Sequence, residues 1–239
     1  MRYLIFDCEC LGACDFNGNI KILKDYLYKG ENNRQYIWQF GYILFDDTFN
    51  IVKKDILTIN PTIDLTKDYP LPSFTSPGLW TDEKKNEVFN LKTDFTTIHS
   101  LLEQLINDNT IVINQGLISD LIYIKSDCER FGLPYKEIIG CRLEDLTSFY
   151  IEQTGLKIPK KERVTHRTLL LEGVVKEESG LEHLARFLGI EVKDAHQALG
   201  DCMMVYGILS KYCKDLNFSN PLELITESKV LITKEAGKK

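Results

Sequence analysis

The pattern of hydrophobic and polar positions changes period along the chain. Near its start, stretches rich in β-branched and aromatic residues, YLIFDCE (3–9) and YIWQFGYILFDD (36–47), predict two strands. A turn at Asp46 and Asp47 leads to IVKKDILTI (51–59), which predicts a third. Short connections indicate that these strands form an antiparallel meander. The prolines and glycine that follow are expected to break any regular element: Pro61, Pro70, Pro72, Pro77 and Gly78.

Beyond these breaks, helical and strand patterns alternate. Asp94 is expected to cap a helix whose apolar residues recur at helical spacing: Phe95, Ile98, Leu101, Leu102, Leu105 and Ile106. TIVIN (110–114) predicts a buried strand, and residues 118–131 predict a helix that ends at Gly132.

The remaining pattern completes an α/β domain. EIIGCRLED (137–145) contains a further predicted strand, and residues 180–188 and 197–213 each predict a helix. Antiparallel strands followed by strands that alternate with helices predict a mixed sheet flanked by helices. We expect one domain over residues 1–215, with 216–239 as its C-terminal extension and a partly frayed tail.

Composition and charge narrow the class of protein. The 239 residues are 44% hydrophobic and 27% charged, which excludes disordered, collagen-like and disulfide-dense chains. The 35 acidic residues exceed the 29 Lys and Arg residues, giving a net charge of -6. This balance argues against binding nucleic acid through bulk charge, because such proteins are usually basic.

The same counts predict a cytoplasmic protein without membrane contact. Asp7 and Glu9 interrupt the apolar run that a signal peptide would need. No stretch approaches the ~20 apolar residues of a membrane span. Seven cysteines cannot form a complete set of intramolecular disulfides, which favours a reducing compartment.

Asp7 and Glu9 are candidates for metal binding. They lie two residues apart on a predicted strand, so their side chains share a face. Adjacent carboxylates repel each other unless a cation lies between them, and oxygen-only ligands favour Mg²⁺ or Mn²⁺. An exposed strand end without a ligand would show the same pair.

Two further segments carry candidate residues. His196 and Asp201 would lie ~140° apart on a regular helix. They converge only if His196 lies in the preceding loop and Asp201 about one turn inside the helix, with Asp194 as an alternative cap. Asp120 falls near the start of a helix after a buried strand, where it could simply favour the helix dipole. Alone, each has an ordinary structural explanation.

Together these segments resemble the DEDDh family of 3′→5′ exonucleases, the DnaQ-like branch of the ribonuclease-H-like fold. In DCECLG, Asp7, Glu9 and Gly12 match the family's Asp-x-Glu-x-x-Gly, and HQALGD (196–201) matches its His-x4-Asp. The resemblance covers about residues 1–213. It includes two more segments, PGLWTDEKKNEV (77–88) and GLEHLARFLGIE (180–191).

One segment departs from the commonest family pattern, which has Asn and then Phe before the third carboxylate. Here Ser119 precedes Asp120, and Gly116 lies four residues before it. This spacing is more similar to the Eri-type RNA exonuclease branch and shifts the expected substrate modestly toward RNA.

The resemblance implies hydrolysis assisted by two divalent cations, Mg²⁺ or Mn²⁺, that releases nucleoside monophosphates. Asp7 would bridge both ions, Glu9 and Asp201 would hold the ion on the nucleophile side, and Asp120 would support the other. His196 would take a proton from the attacking water. The implied partner is a single-stranded or 3′-overhanging DNA or RNA, and a homodimer is open. Bound cations would also offset the acidic charge of the cleft.

Substrate contacts are expected partly from the resemblance and partly from charge and aromatic content: Leu11, Gly12, Trp80, Lys160, Lys161 and Arg163. Leu11 would touch a terminal base, and Trp80 or Phe16 could stack on one. The basic residues of 157–167 could contact phosphates or form a solvated loop. Trp38 is expected to be structural.

The sequence leaves two other functions open. One is a catalytically silent nucleic-acid-binding module that acts through partners. The other is a zinc protein that uses Cys8, Cys10 and Cys14, although Cys-x-Cys spacing suits a structural zinc site poorly. Strand geometry should instead send Cys8 and Cys10 away from the carboxylates. The remaining cysteines considered are expected in the core: Cys128, Cys141, Cys202 and Cys213.

Overall fold

The computed structural model describes residues 1–15, 35–63, 68–72, 81–136, 138–158 and 180–230. Their elements, in chain order, are β1 (Arg2–Asp15), β2 (Gln35–Asp46), β3 (Ile51–Thr58), β4 (Asp68–Pro72), α1 (Asp82–Phe89), α2 (Phe95–Leu105), β5 (Thr110–Asn114), α3 (Leu117–Phe131), β6 (Gly140–Arg142), α4 (Leu143–Thr154), α5 (Gly180–Phe187), α6 (Ala198–Asp215) and α7 (Pro221–Ser228). Within these ranges, no helix is long and apolar enough to cross a membrane.

A mixed sheet forms the centre of the fold. Its strand order is β3–β2–β1–β5–β6, and β4 pairs with β1 beside this path. The meander of β1, β2 and β3 is antiparallel, whereas β5 is parallel to both β1 and β6. The mixed sheet predicted from the alternating pattern is therefore confirmed.

Helices cover both faces of the sheet, because its strands alternate apolar side chains between two cores. On one face, Tyr3 and Ile5 of β1 pack with residues of α4, α5, α6 and α7. On the other, Leu4 and Phe6 pack with residues of α2 and α3. Because consecutive residues of β1 point to opposite faces of the sheet, this alternation decides which catalytic candidates can lie close together.

The predicted break at the prolines is wrong for residues 68–72. This segment forms β4, and Pro70 and Pro72 lie opposite Ala13 and Leu11 of β1. Proline is tolerated in a strand that lies at a sheet edge, where the missing N–H removes no bond from the ladder. In the described chain β4 pairs with β1 alone. Pro61 does lie outside regular structure, whereas Pro77 and Gly78 fall outside the described residues.

The predicted helix ends agree with the structure. The Asp94 carboxylate accepts a hydrogen bond from the Thr96 N–H at 2.9 Å and caps α2. At the end of α3, Gly132 adopts a left-handed conformation with φ of 64°, as expected of a glycine after a helix. Three helices were not predicted: α1, α4 and α7. Leu224 and Ile225 of α7 are buried in the core together with residues of α6.

The edge of β1 that faces β5 is divided between two partner strands. In the described part of the chain, β5 pairs with residues 2–4 and β4 with residues 11–15. Between these two ladders, side chains take the place of a strand. The Phe6 N–H donates to Asn114 Oδ1 at 3.0 Å, and the Cys8 N–H faces the Asp120 carboxylate, whose pKa it lowers. The candidate carboxylates of β1 lie in this divided stretch.

Candidate active site

Asp7 and Glu9 project from β1 toward α6. Leu4, Phe6 and Cys8 pack in the core on the α3 side of the sheet, so the intervening residues Asp7 and Glu9 face the other side. Glu9 is 6% exposed, and Asp7 is half-buried. The shared face predicted from their spacing is confirmed.

Asp201 reaches these two carboxylates from the first turn of α6. One carboxylate oxygen from each of Asp7, Glu9 and Asp201 can be chosen so that all three lie within 4.8 Å of one another. His196 lies in the preceding loop with φ of 66°, and its backbone N–H donates to Asp201 Oδ1 at 3.2 Å. The predicted arrangement, His196 in the loop and Asp201 one turn inside the helix, is confirmed.

Small residues allow α6 to approach the sheet this closely. A Cβ atom on Gly41 would overlap the backbone of Ala198 and Leu199, and one on Gly200 would overlap the backbone of Asp194. Gly41 is the cross-strand partner of Asp7. The absence of a side chain there therefore brings the start of α6 over the metal-ligand candidates.

Asp120 lies in the first turn of α3 and is 4% exposed. Asn114, at the end of β5, donates from Nδ2 to Asp120 Oδ2 at 3.0 Å and accepts from the Phe6 N–H at 3.0 Å. The Asn114 amide thus links β1 to the Asp120 carboxylate. The sequence analysis did not identify Asn114, although a polar residue at the end of the apolar strand TIVIN was the pattern that could have indicated it.

The clustered carboxylates raise one another's proton affinity. Removal from water raises the pKa of Asp7 well above its ordinary value, and the charges of Asp120, Glu9 and Asp201 add to the shift in that order. Burial also raises the pKa of Asp120 to about 7, although hydrogen bonds from Asn114 and Cys8 oppose this. Asp120 is thus close enough for its charge to act on Asp7.

Asp201 shows the same effect at the other side of the site. Removal from water raises its pKa to about 6, while the His196 N–H and the His196 charge lower it. Glu182, on α5, raises it again. Glu182 was also missed by sequence reasoning. Its Oε2 lies 3.6 Å from His196 Nε2.

These residues fit a divalent cation. The converging donors are carboxylate oxygens, the ligand type that Mg²⁺ and Mn²⁺ prefer. Burial and the charges of neighbouring carboxylates raise the pKa of Asp7, Asp120 and Asp201, so positive charge placed among them would favour their ionised forms. A bound cation would supply that charge.

The structure describes two of the predicted substrate contacts, Leu11 and Gly12, and their contact roles stay predictions. Leu11 is fully buried beside Trp38, Ile63 and Val88, so it offers no surface to a terminal base in this structure. Trp38 is buried, and its predicted structural role is confirmed. Gly12 lies within β1 opposite Gln35. Four contacts and one stacking residue lie outside the described residues: Trp80, Lys160, Lys161, Arg163 and Phe16.

Cys8 and Cys10 do not favour a zinc site, and the Cys14 side chain lies outside the part of the chain that the structure describes. Cys8 and Cys10 are buried in the core on the α3 side. Burial raises the pKa of both thiols well above the ordinary value, which disfavours the thiolate that zinc requires. The other cysteines expected in the core are also buried: Cys128, Cys141, Cys202 and Cys213.

Comparison by sequence finds no relative: no family model and no curated protein matches the chain. Comparison by structure finds solved structures of nucleases with a similar fold. Cell-death related nuclease 4 (CRN-4) superposes with a TM-score of 0.58 at 12% identity, over 90% of this chain and 64% of that protein. Exonuclease I of E. coli in complex with a dT13 oligonucleotide gives a TM-score of 0.55 at 19% identity, over 89% of this chain and 41% of that one.

A third structure matches along nearly its whole length. The nuclease domain of 3′hExo, a DEDDh family member, bound to rAMP, gives a TM-score of 0.53 at 13% identity, over 92% of this chain and 94% of that domain. The present chain spans less than two thirds of CRN-4 and less than half of exonuclease I. At these identities the likeness is one of architecture. The chain therefore has the ribonuclease-H-like α/β fold that these nucleases share.

Proposed function

We propose that this protein is a metal-dependent 3′→5′ exonuclease that hydrolyses phosphodiester bonds and releases nucleoside monophosphates. One observation carries the proposal: Asp7, Glu9 and Asp201, from elements far apart in sequence, bring carboxylate oxygens within 4.8 Å of one another. The ribonuclease-H-like fold and its nuclease neighbours support this reading.

Four carboxylates would hold the divalent cations: Asp7, Glu9, Asp120 and Asp201. When bound, two such cations supply positive charge that stabilises the attacking and leaving oxygens of a phosphoryl group. Asn114 keeps the Asp120 carboxylate in place through its hydrogen bond. The His196 N–H does the same for Asp201.

His196 would act as the general base and accept the proton of the attacking water on a ring nitrogen. Its left-handed backbone places the side chain in the loop ahead of α6 rather than on the helix. Glu182 Oε2 lies 3.6 Å from His196 Nε2, where the carboxylate would orient the ring.

The proposed substrate is a 3′ end of a single-stranded or 3′-overhanging nucleic acid. The structural neighbours include one complex with dT13 and one with rAMP, so both sugars belong in the test. The Gly116–Ser119 departure from the commonest family pattern shifts the expected substrate modestly toward RNA. With a net charge of -6, we expect binding to depend on the cations rather than on bulk surface charge.

The test uses 5′-labelled single-stranded and duplex DNA and RNA of one sequence, with Mg²⁺, Mn²⁺ or EDTA. Stepwise shortening from the 3′ end, with mononucleotide products and only with a divalent cation, is the expected result. Asp7→Asn protein from the same preparation controls for contaminating nuclease. If every substrate stays intact with wild-type protein and Mn²⁺, the exonuclease proposal fails and the binding-module alternative gains support.

A further inference from the structure

Gln39 occupies a central place beside the carboxylate cluster. It lies on β2 directly opposite Glu9, two residues from Gly41, which lies opposite Asp7. Directly opposed residues on antiparallel strands have Cβ atoms about 4.5–5.5 Å apart. The pairs Glu9–Gln39 and Asp7–Gly41 therefore form one patch of the sheet, and α6 begins above it.

The Gln39 side chain bonds to the first residue of α6. Its Oε1 accepts the Ala198 N–H at 3.0 Å, in a buried setting. The residue before the helix, Gln197, makes no side-chain cap hydrogen bond. An unpaired N–H at a buried helix start costs free energy, so a side chain from another element must satisfy it. Gln39 does so from 159 residues away in the chain.

This hydrogen bond lies close in sequence to two candidate functional residues, and Cys202 Sγ adds a second tie from α6 to the Gly41 carbonyl at 3.4 Å. Ala198 is three residues before Asp201 and two after His196. The overlap that any Cβ on Gly41 would cause shows how little space separates this turn from β2. A shift of the Ala198 N–H away from Gln39 would carry the Asp201 carboxylate away from Asp7 and Glu9.

We propose that Gln39 is a positioning residue of the metal site: it fixes the start of α6, and through it Asp201, against the carboxylates of β1. This inference rests on the metal site of the proposed function, but not on the nuclease reaction. A buried neutral amide suits the position because it accepts a hydrogen bond without adding negative charge to the cluster.

The test measures the Kd of Mn²⁺ for the purified full chain by calorimetry, without substrate. Gln39→Met removes the acceptor and keeps the length of the side chain. Groups that orient metal ligands typically contribute 10–100-fold to affinity, so we expect the Kd to rise at least about tenfold. Gln39→Glu keeps an acceptor at the same reach, and its Kd should stay within about threefold of wild type or fall below it.

Asn220→Ala is the matched control. Asn220 caps α7 by accepting the Glu223 N–H at 3.0 Å, away from the carboxylates. The Asn220→Ala variant should lose about as much stability as Gln39→Met, but it should bind Mn²⁺ with the affinity of the wild type. If Gln39→Met does not fold, as judged by circular dichroism, Gln39→Asn replaces it, because the shorter amide cannot reach Ala198.

Two results would overturn the inference: a Kd for Gln39→Met, or its replacement, within twofold of wild type, or equal weakening by Gln39→Met and Gln39→Glu. The failure of the proposed function is separate. Wild-type protein that binds Mn²⁺ but cleaves nothing would contradict the exonuclease proposal and leave the Gln39 comparison intact.

Discussion

The Nε2 atom of His196 lies 3.6 Å from the Oε2 atom of Glu182, and the two side chains are only 12% and 11% exposed. A carboxylate beside a catalytic imidazole can orient the ring and stabilise the positive charge that it gains as a base. We expect Glu182→Gln to lower kcat about 10–100-fold while KM for the labelled strand changes less than threefold.

The control for this variant is Glu191→Gln. Glu191 is exposed and pairs with Lys193 in the same connection before α6, so its loss should leave kcat unchanged. A kcat for Glu182→Gln equal to that of Glu191→Gln would show that the contact with His196 has no role in the reaction.

Asp7→Asn should remove metal-dependent cleavage and, at the same time, stabilise the metal-free protein. The side chain keeps its size, but the substitution removes a negative charge that the three neighbouring carboxylates repel. Thermal unfolding in EDTA should show a higher Tm by a few degrees, and Mn²⁺ should no longer raise it. The exposed Asp108 provides the control through Asp108→Asn. A lower Tm for Asp7→Asn in EDTA would contradict this account of the site.

His196→Asn should separate the proposed general base from the proposed metal site. Asn tolerates the left-handed φ of 66° better than most residues, and the backbone N–H to Asp201 is kept. Mn²⁺ affinity should therefore stay within about threefold of wild type. Single-turnover cleavage should fall about 10²–10⁴-fold. Equal loss of metal affinity and rate would mean that the side chain is a ligand rather than a base.

The metal-free protein should lose stability as pH rises. The folded-state pKa is about 7 for Asp120 and about 6 for Asp201, above the ordinary carboxyl value of 3.8. Between about pH 4 and pH 7 the folded chain therefore holds protons that the unfolded chain has released, and the free energy of unfolding falls across this window.

Urea unfolding in EDTA at pH 5 and pH 7.5 measures this effect, which should be on the order of 2 kcal/mol. Mn²⁺ should restore stability at pH 7.5 more than at pH 5, because protonation competes with the cation. Asp120→Asn should flatten the dependence. A wild-type stability that rises from pH 5 to pH 7.5 in EDTA would refute the expected sign.

Gly41→Ala tests the close contact between β2 and α6. The added methyl group would overlap the backbone of Ala198 and Leu199, so the helix start must move. We expect both a loss of about 2–4 kcal/mol of stability and weaker Mn²⁺ binding. Gly180→Ala is the control, since nothing lies within 4 Å of a Cβ there. Wild-type Mn²⁺ affinity in folded Gly41→Ala would show that the contact does not set the site.

Sequence patterns were sufficient where one local rule decided the structure. Alternation placed Asp7 and Glu9 on one face, and the angle between His196 and Asp201 required the loop that the structure contains. The cap at Asp94 and the end at Gly132 also followed from local chemistry. These features depend on neighbours in the chain, which a sequence shows directly.

Sequence patterns did not predict the features that depend on contacts between distant parts of the fold. Pro70 and Pro72 lie in a strand because β1 offers them an edge. The contacts of Gln39 with Ala198 and of Asn114 with Phe6 span 159 and 108 residues, and Glu182 meets His196 across the connection between α5 and α6. Nothing local distinguishes a buried glutamine that holds a distant helix from one that ends on the surface, so these residues required the structure.

The divided edge of β1 has a consequence for local opening of the chain. In the described part of the chain, the Cys8 N–H lies between the ladders with β5 and β4 and faces the Asp120 carboxylate, whose pKa it lowers. Its hydrogen exchange should therefore report on that carboxylate, while amides of the β1–β2 ladder report on global unfolding. Exchange at Cys8 that slows when Mn²⁺ is added would make one backbone amide a spectroscopic measure of how firmly Asp120 is held.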